Sequence, residues 1–586
     1  MMHRARTSGA APAYHVKQNG RWVATSYREY ADQVRTVARA LIHLGVGPGQ
    51  SVSILGGNRP EWAIFDLAAM CAGAAPAGIY TTSSPSEVQY VVHHSESRVV
   101  LLENEAQWKK VEVELERLPG LEHVVMMRGA PVEHPKVMSW DQLVALGERT
   151  EDSILETRIA ALEPAQLATL IYTSGTTGPP KGVMLSHENL AFTAGLVERI
   201  IEVRASDCSL SYLPLSHIAE QMFTLHVPIT YGCSVYFAES LEKVPDNLKE
   251  IQPTILFAVP RIWEKFHAGV TAKLATTTGA KKRLGGWAMS VGRRYHDALN
   301  AGRRPGLTLS VSHRIATKLV YSKVKPALGL GRVRHSVSGA APIAREIVEF
   351  FAGLDVPIRE VYGQSEGTGP TTFNYPGRTR FGSVGPPIPD VEVKIADDGE
   401  ILVRGKNVFL GYLKEPRATE DTIKDGWLCS GDLGAFDGDG FLHITGRKKD
   451  IIITAGGKNI APRNLEAALK GSRFISEAVV IGDRRKFLSA LLFLDEEAAR
   501  KWAEEAGQAP EALRGNAKLR AAIQADVDAV NAELARVEQI RKWTLAKRAL
   551  GIETGELTPT LKIKRQKIYA HFSEEIEAMY AANEDL

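Results

Sequence analysis

Cysteine is scarce in this 586-residue chain, and the four present, Cys71, Cys208, Cys233 and Cys429, lie far apart with no C-x-x-C pair. Such spacing builds neither a disulfide framework nor a thiolate zinc cage, and a reducing compartment is the expectation. Long apolar runs are also missing. The nearest, Leu67 to Ile79, is cut by Gly73, Pro76 and Gly78 and falls short of the roughly 18 residues a spanning helix needs. The first residues, MMHRARTSGAAPAYHVKQNG, lack the apolar stretch of a secretory signal. A cytoplasmic protein is expected, or one that touches a membrane only from the side, on the inner face. Charge of one sign is lacking too: 71 Lys+Arg against 68 Asp+Glu give +3, which argues against a dedicated nucleic-acid binder. What is plentiful is apolar residues, at 44%, enough for large cores and too many for a disordered chain.

At roughly 100 to 200 residues per domain, this length calls for several folding units. Short β-rich runs at Val52 to Leu55, Val99 to Leu102, Leu167 to Tyr172, Ile255 to Val259 and Ile358 to Tyr362 alternate with amphipathic segments such as Tyr27 to Leu44. That alternation predicts an α/β fold with mostly parallel sheets, and more than one of them. Near Ile388 the pattern changes, and VEVKIADDGEILVRG reads as a hairpin turning at Asp398 and Gly399. A large N-terminal domain over 1–447 is expected, closing in a β-rich subdomain at about 385–447, followed by a small α+β domain over 448–586. In the latter, strands are expected at Glu477 to Ile481 and Leu488 to Leu494. A long helix is expected where Leu519, Ile523, Val527, Val530, Leu534, Val537 and Ile540 recur at steps of three and four.

One window departs from the overall balance. Gly279 to His335 holds 13 Lys or Arg and one acid, Asp297, so 57 residues carry +12 and the remainder −9. Two readings stand: a solvated basic surface, or contact with anionic lipid headgroups, to which each basic residue near the surface adds about 1 kcal/mol. Nucleic acid is the weaker choice there, since Trp287, Tyr295 and Tyr321 are the only aromatics.

The most informative segment is YTSGTTGPPKG, Tyr172 to Gly182, directly after the apolar strand LATLIY. A strand opening into glycines and hydroxyls and ending in a lysine offers backbone N–H groups, side-chain donors and a cation to a polyphosphate. It is not a Walker A loop, which would need glycine at Pro180 and Ser or Thr at Gly182. GQSEG, Gly363 to Gly367, also satisfies the G-x-S-x-G elbow of α/β hydrolases. That elbow needs a helix straight after the serine, and TGPTTFNYPGR cannot supply one.

These residues resemble the adenylate-forming enzymes, which include acyl-CoA synthetases, firefly-type luciferases and peptide-synthetase adenylation domains. YTSGTTGPPKG is similar to their phosphate loop. LPLSHIAEQ, VPRIWEK, SGAAP, YGQSEG, DGWLCSGDLG, GRKKD, TAGGKNIAP and TPTLKIKR follow in the family's order. The resemblance implies a large N-terminal domain, a small mobile C-terminal domain, and a reaction in two steps. A carboxylate attacks the α-phosphorus of ATP to release pyrophosphate, and a thiol then takes the acyl group from the adenylate.

The resemblance also implies roles. Thr173, Ser174, Gly175, Thr176, Thr177 and Gly178, with Lys181 and Ser365, would hold the ATP phosphates, and Glu366 would ligate Mg²⁺. Gly339, Ala340, Ala341, Tyr362 and Gly363 would enclose adenine; Asp432 and Arg447 would hold the ribose. Lys562 would be the catalytic cation of the first step, with His217 beside the substrate carboxylate. Lys449 would be the hinge, and Gly456, Gly457 and Lys458 would receive CoA. Trp263 matches a gate to an acyl tunnel, although alone it reads as a core aromatic. Serine replaces the usual threonine at Ser365 and Ser430, and Leu561 replaces a glycine, so Lys564 and Lys567 compete with Lys562. The wording is most similar to long-chain fatty acyl-CoA synthetases, except that ITGRKKDIIIT departs from the enteric and yeast type. Fatty acid, ATP and CoA are the expected partners. A carrier-protein pantetheine as acceptor, or a medium-chain or aromatic acid as substrate, remains the alternative.

Overall fold

The computed structural model describes residues 1–581 except 130–131, 174–178, 456–457, 506–509 and 559–561. The chain forms two compact units: Met1–Lys394 with Leu402–Ser430 and Asp437–Leu442, and Ile395–Ile401 with Gly431–Phe436 and His443–Leu586.

The first unit is built on three sheets. The largest has eight strands in the order Gly411–Tyr412, Lys181–Ser186, Leu167–Thr173, Ala75–Ile79, Ser51–Leu55, Val99–Leu102, His123–Met126, Val137–Ser139. From Leu167–Thr173 outward the pairing is parallel. The two strands on its other side pair antiparallel. Helices cover the central strands on both faces, which explains why Ser51–Leu55 and Val99–Leu102 are buried along their whole length. The helix Tyr27–His43 shows how local chemistry sets an element. Ser26 caps it by accepting from the Glu29 N–H while the Glu29 side chain reaches back, and Val34, Val37, Ala38 and Leu41 form its buried stripe. A second sheet aligns Ile255–Ala258, His335–Ser338 and Ile358–Gln364 in parallel, with Gly369–Phe373 antiparallel at its edge. The third pairs Cys208–Ser211, Ser234–Phe237, Pro12–Gln18 and Arg21–Ser26.

The segment read as β-rich carries strands Glu392–Ile395, Glu400–Arg404, Trp427–Phe436 and Leu442–Arg447. Its first turn falls where expected: Gly399 donates to the Ala396 carbonyl at 2.8 Å with φ +85°, a backbone conformation that favours glycine.

The second unit centres on a three-stranded sheet, Ile475–Ile481, Leu488–Leu494 and Ile540–Leu545. Alternate residues serve two cores. Val480, Leu488, Ala490 and Leu492 meet the helices Pro462–Leu469 and Ala517–Ala532, while Val479, Leu491 and Phe493 meet Ile568, Phe572 and Ile576. The long helix expected to reach Ile540 stops at Ala532, and Ile540 opens a strand. Asn531 explains the break. Its side chain both accepts from the Ile540 N–H at 2.8 Å and donates to the Ile540 carbonyl at 2.9 Å, giving the backbone a partner that continued helix would exclude. Val537, counted with the helical stripe, is exposed.

Candidate active site

Ser174, Gly175, Thr176, Thr177 and Gly178, expected from the sequence to hold phosphates, lie outside the described residues, but the strand ends on either side of them are described. Thr173 ends one strand, Lys181 opens the next, and the two face each other in the antiparallel ladder. The Lys181 ammonium sits 4.7 Å over the ring of Tyr412 and 3.8 Å from Glu415 Oε2. The hydroxyl of that tyrosine donates to Glu366 Oε1 at 2.8 Å. Burial first, and the Glu366 carboxylate second, push the Tyr412 phenol well above its ordinary value, so it stays a donor. One ring thus supports the lysine on its face and the carboxylate at its edge.

Glu366 lies in a single 3-10 turn, Ser365–Gly367. Thr368 follows with φ +55°, and its Oγ1 donates to the Asn407 carbonyl at 2.6 Å. Asn407 donates back to the Gly367 carbonyl at 3.2 Å, and Phe409 N–H binds the Glu366 carbonyl at 2.9 Å. Ser365 is buried within this turn. No α-helix follows the serine, because strand Gly369–Phe373 begins at once; the hydrolase elbow is absent. Gly363 must be glycine, since a Cβ there would lie 1.7 Å from the Gly369 carbonyl oxygen.

Gly339 to Ala341 and Tyr362 to Gln364 leave the carboxyl ends of two adjacent parallel strands, the position at which open α/β sheets bind ligands. Val361 Cγ1 would be 2.6 Å from a Cβ on Gly339. Ala340 is exposed with φ +69°, a strained conformation that costs an alanine about 1–2 kcal/mol and so marks a site the surroundings enforce. Tyr362 is half-buried. Beneath it Glu360 is buried, its carboxyl accepting from Gly382 N–H at 3.1 Å and pushed up to about 8 by burial.

His217 caps the helix Ile218–Gln221: its Nδ1 accepts from Ala219 N–H at 3.2 Å, which leaves the ring proton of the neutral imidazole on Nε2. Three residues on, Glu220 is buried, and its Oε1 accepts from Ser211 Oγ and Thr224 Oγ1, each at 2.8 Å. Burial raises its carboxyl to about 7. Trp263 is fully enclosed: it packs edge-on against Phe351 at 5.2 Å and its indole N–H reaches the Val337 carbonyl at 3.4 Å.

In the second unit, Asp432 and Arg447 form a pair, Nε to Oδ1 3.3 Å, with the carboxylate largely buried. Lys449 is exposed in the turn Lys448–Asp450. Gly456 and Gly457 lie outside the described residues; Lys458 is exposed and donates its N–H to Thr454 Oγ1 at 3.2 Å. Lys562 is exposed as well, and its backbone is pinned to Thr558 twice, Thr558 N–H to Lys562 carbonyl at 2.8 Å and Lys562 N–H to Thr558 Oγ1 at 2.9 Å. The other cations of that run differ in setting. Arg565 is tied bidentate to buried Glu466 at 2.7 and 2.9 Å, Lys564 is half-buried, and Lys567 points outward from the helix Arg565–His571. Two residues before Thr558, Glu556 is completely buried and accepts from Arg548, Thr554, His571 and Gly551. Burial opposes its charge, but those hydrogen bonds outweigh it and hold the carboxyl well below its usual range.

A profile of the AMP-binding enzyme family matches residues 1–413, and one of the AMP-binding enzyme C-terminal domain matches 449–584. The chain belongs to the AMP-binding enzyme family. Within that family, it is similar to the long-chain-fatty-acid–CoA ligase ACSBG2 of Homo sapiens, at 37% identity over 604 residues, 98% of this chain and 90% of that protein. It is equally similar to the long-chain-fatty-acid–CoA ligase FadD15 of Mycobacterium tuberculosis, at 37% over 581 residues, 97% and 95% of the two chains. Among solved AMP-binding enzymes, the anthranilate CoA ligase AuaEII in complex with anthranoyl-AMP shares the fold, with TM-score 0.73 and 21% identity over 98% of this chain and 96% of that one. The Bacillus subtilis o-succinylbenzoate CoA synthetase MenE in complex with AMP does so at TM-score 0.68 and 22% identity over 96% of each chain.

Tyr412, Glu415, Glu466 and Glu556 did not emerge from sequence reasoning. A signal existed for Glu466 and Glu556: each is an acid next to an apolar position, in NLEAAL and TGELTP, with an arginine elsewhere in the same domain to balance it.

Proposed function

We propose that this AMP-binding enzyme activates a long-chain fatty acid with ATP and passes the acyl group to CoA. The observation that carries the reading is the clustering of Lys181, Tyr412 and Glu366 at the mouth of the phosphate-loop strands. The acid is named after the relatives, long-chain-fatty-acid–CoA ligases at 37% identity over nearly the whole chain.

In the first step a fatty carboxylate oxygen bonds to the α-phosphorus of ATP and the bond to the pyrophosphate oxygen breaks. Two anions must approach, so catalysis is chiefly charge neutralisation and alignment. Lys181, held on the Tyr412 face, meets the β and γ phosphates together with the loop from Thr173. Lys562 supplies the cation for the attacked phosphate. Asp432 accepts from the ribose hydroxyls, and Arg447 is already oriented by it. Gly339 to Ala341 and Tyr362 flank adenine. His217, with its proton on Nε2, offers a donor to the substrate carboxylate.

Mg²⁺ fits the residues present. Tyr412 holds one oxygen of Glu366, a carboxylate has a second to offer, and magnesium keeps most of its waters, so one such ligand suffices. When bound it neutralises phosphate charge. In the second step the CoA sulfur attacks the acyl carbonyl, AMP leaves with the C–O bond electrons, and the thiol proton passes to solvent. Lys458 and the glycines before it receive the pantetheine arm, and Lys449 is the hinge of the exchange. Trp263, closed against Phe351, gates the acyl chain.

The test is pyrophosphate release across medium-chain, long-chain and aromatic acids, with and without CoA. Turnover with long-chain acids and a CoA-dependent thioester is expected. No turnover with any fatty acid would sink the substrate class, and a product that ignores CoA would shift the acceptor to a carrier protein.

A further inference from the structure

The helix Leu307–Ala316 is apolar on two sides. Its inner side is ordinary: Ala316 is buried with Ala288, Val291 and Tyr321, and Leu309 packs against the same cluster. Its outer side is not. Leu307, Val311 and Ile315 are 87%, 52% and 47% exposed at a spacing of four, and Leu319 continues the row at 44%. A surface helix buries one apolar stripe, and a second one left in water marks an interaction face.

Basic residues frame this row. Arg314 stands seven positions after Leu307, about two turns on and therefore on the same face, and Lys318 follows in the π-helical turn Thr317–Tyr321; both are exposed. Arg303 and Arg304, also exposed, lead into the helix. The face is held rigidly from behind. His313 on this helix and His296 on the helix Gly279–Asn300 both reach Asp355 Oδ1, at 3.0 and 2.9 Å, while Lys325 sits 3.1 Å from Oδ2. Among the described residues, this is the His and carboxylate group whose ligand atoms converge closely enough to suggest a metal. The Lys325 ammonium already balances the carboxylate and also donates to the Asp355 carbonyl at 2.9 Å, so the cluster works as a clamp. His313 further stacks on Tyr295 at 3.8 Å.

We propose that the outer face of Leu307–Ala316, with Arg303, Arg304, Arg314 and Lys318, docks on an anionic lipid bilayer. Charge decides the occupant: Gly279 to His335 carries a single acid against 13 basic residues, and although Arg293, Lys325 and Arg334 are paired with Glu349, Asp355 and Asp207, the four that frame this face enter no ion pair among the described residues. Aliphatic side chains flanked by Arg and Lys are what an in-plane helix presents to headgroups and the acyl boundary beneath them. None of the described helices is long and apolar enough to cross a membrane, and this face requires no crossing. The docking stands independently of the acyl-CoA reading, although it would place the protein where a fatty acid is held.

The experiment is co-sedimentation of the full chain with vesicles of phosphatidylcholine alone or with about one-third phosphatidylglycerol, at low and raised salt. Anionic vesicles should bind at least about tenfold better than neutral ones, with the difference shrinking in salt. Leu307→Ser/Val311→Ser/Ile315→Ser and, separately, Arg303→Gln/Arg304→Gln/Arg314→Gln/Lys318→Gln should each lower binding by about tenfold or more, with pyrophosphate release from a soluble acid unchanged. Hydrogen exchange on the unmutated chain should slow across 303–319 when anionic vesicles are added. Equal binding to both vesicles, no binding, or unchanged exchange would overturn the proposal. So would an apolar variant that dissociates an oligomer yet still binds vesicles, since the face would then belong to a second copy.

Discussion

Replacing Tyr412 by phenylalanine removes one oxygen and isolates a single link in the proposed phosphate site. The ring stays, packed edge-on against Phe409 at 4.9 Å and beneath Lys181 at 4.7 Å, so the cation–π support is preserved. What goes is the 2.8 Å hydrogen bond to Glu366 Oε1. A hydrogen bond to a charged group contributes about 1.5–3 kcal/mol. Glu366 is only half-buried, so water takes part of the lost role and the low end of that range applies, about tenfold at 1.4 kcal/mol per factor of ten. The expected result is a KM for Mg-ATP raised about tenfold in pyrophosphate release, with half-saturation shifted to higher Mg²⁺ and thermal stability little changed. Thioester formation from supplied acyl-adenylate and CoA should be untouched, because that step uses no phosphate site. An unchanged Mg²⁺ dependence, or an equal loss in both steps, would refute the placement of Glu366 as the metal-facing carboxylate.

Other expectations follow from the same geometry. Lys562→Ala should lower adenylate formation by about 10²–10³-fold and leave thioester formation from acyl-adenylate largely intact, whereas Lys567→Ala should affect neither. Arg565→Ala strands buried Glu466 and should destabilise the second unit by about 3–5 kcal/mol in thermal or denaturant unfolding, while the paired change to apolar residues is far milder. Glu220, raised to about 7, is neutral in the fold at low pH and must ionise as pH rises. The stability it contributes is whole below the ordinary glutamate range and is lost as pH climbs through 7, so Glu220→Gln should flatten the fall in melting temperature over that window. Glu556 has the opposite sign: its carboxyl is held low, so its contribution is present above the ordinary glutamate range and fades as acid protonates it, and Glu556→Gln should remove that acid sensitivity.

The layers of the fold were legible because buried parallel strands read as continuous apolar runs and their helices as amphipathic ones; Val52 to Leu55 and Val99 to Leu102 needed no further information. The helix drawn through to Ile540 shows where periodicity misleads. Leu534, Val537 and Ile540 keep the helical spacing by accident, and one asparagine side chain, bonded to Ile540 from both sides, redirects the backbone. For the site, a residue type at a motif position was visible, but its support was not. Glu366 could be picked from YGQSEG, yet Tyr412 comes from an antiparallel edge strand 46 residues later, and only the ladder with Val183 brings it near. Exposure separates the cations in KIKR, and exposure depends on Glu466, 99 residues from Arg565.

An anion attacking ATP needs cations and donors held in place, and the groups proposed for that first step come from both units. Each group is fixed by contacts within its own unit. In the first, Tyr412 joins Lys181 to Glu366. In the second, Asp432 orients Arg447, Glu466 locks Arg565, and Glu556 with Thr558 fixes the backbone that carries Lys562. Side chains pre-positioned this way need no reorganisation when substrate arrives, which is where electrostatic catalysis gains most. The near-zero total charge is therefore uninformative about anionic ligands. It sums a +12 segment with a −9 remainder, while the site proposed for ATP and CoA needs only a few lysines and arginines.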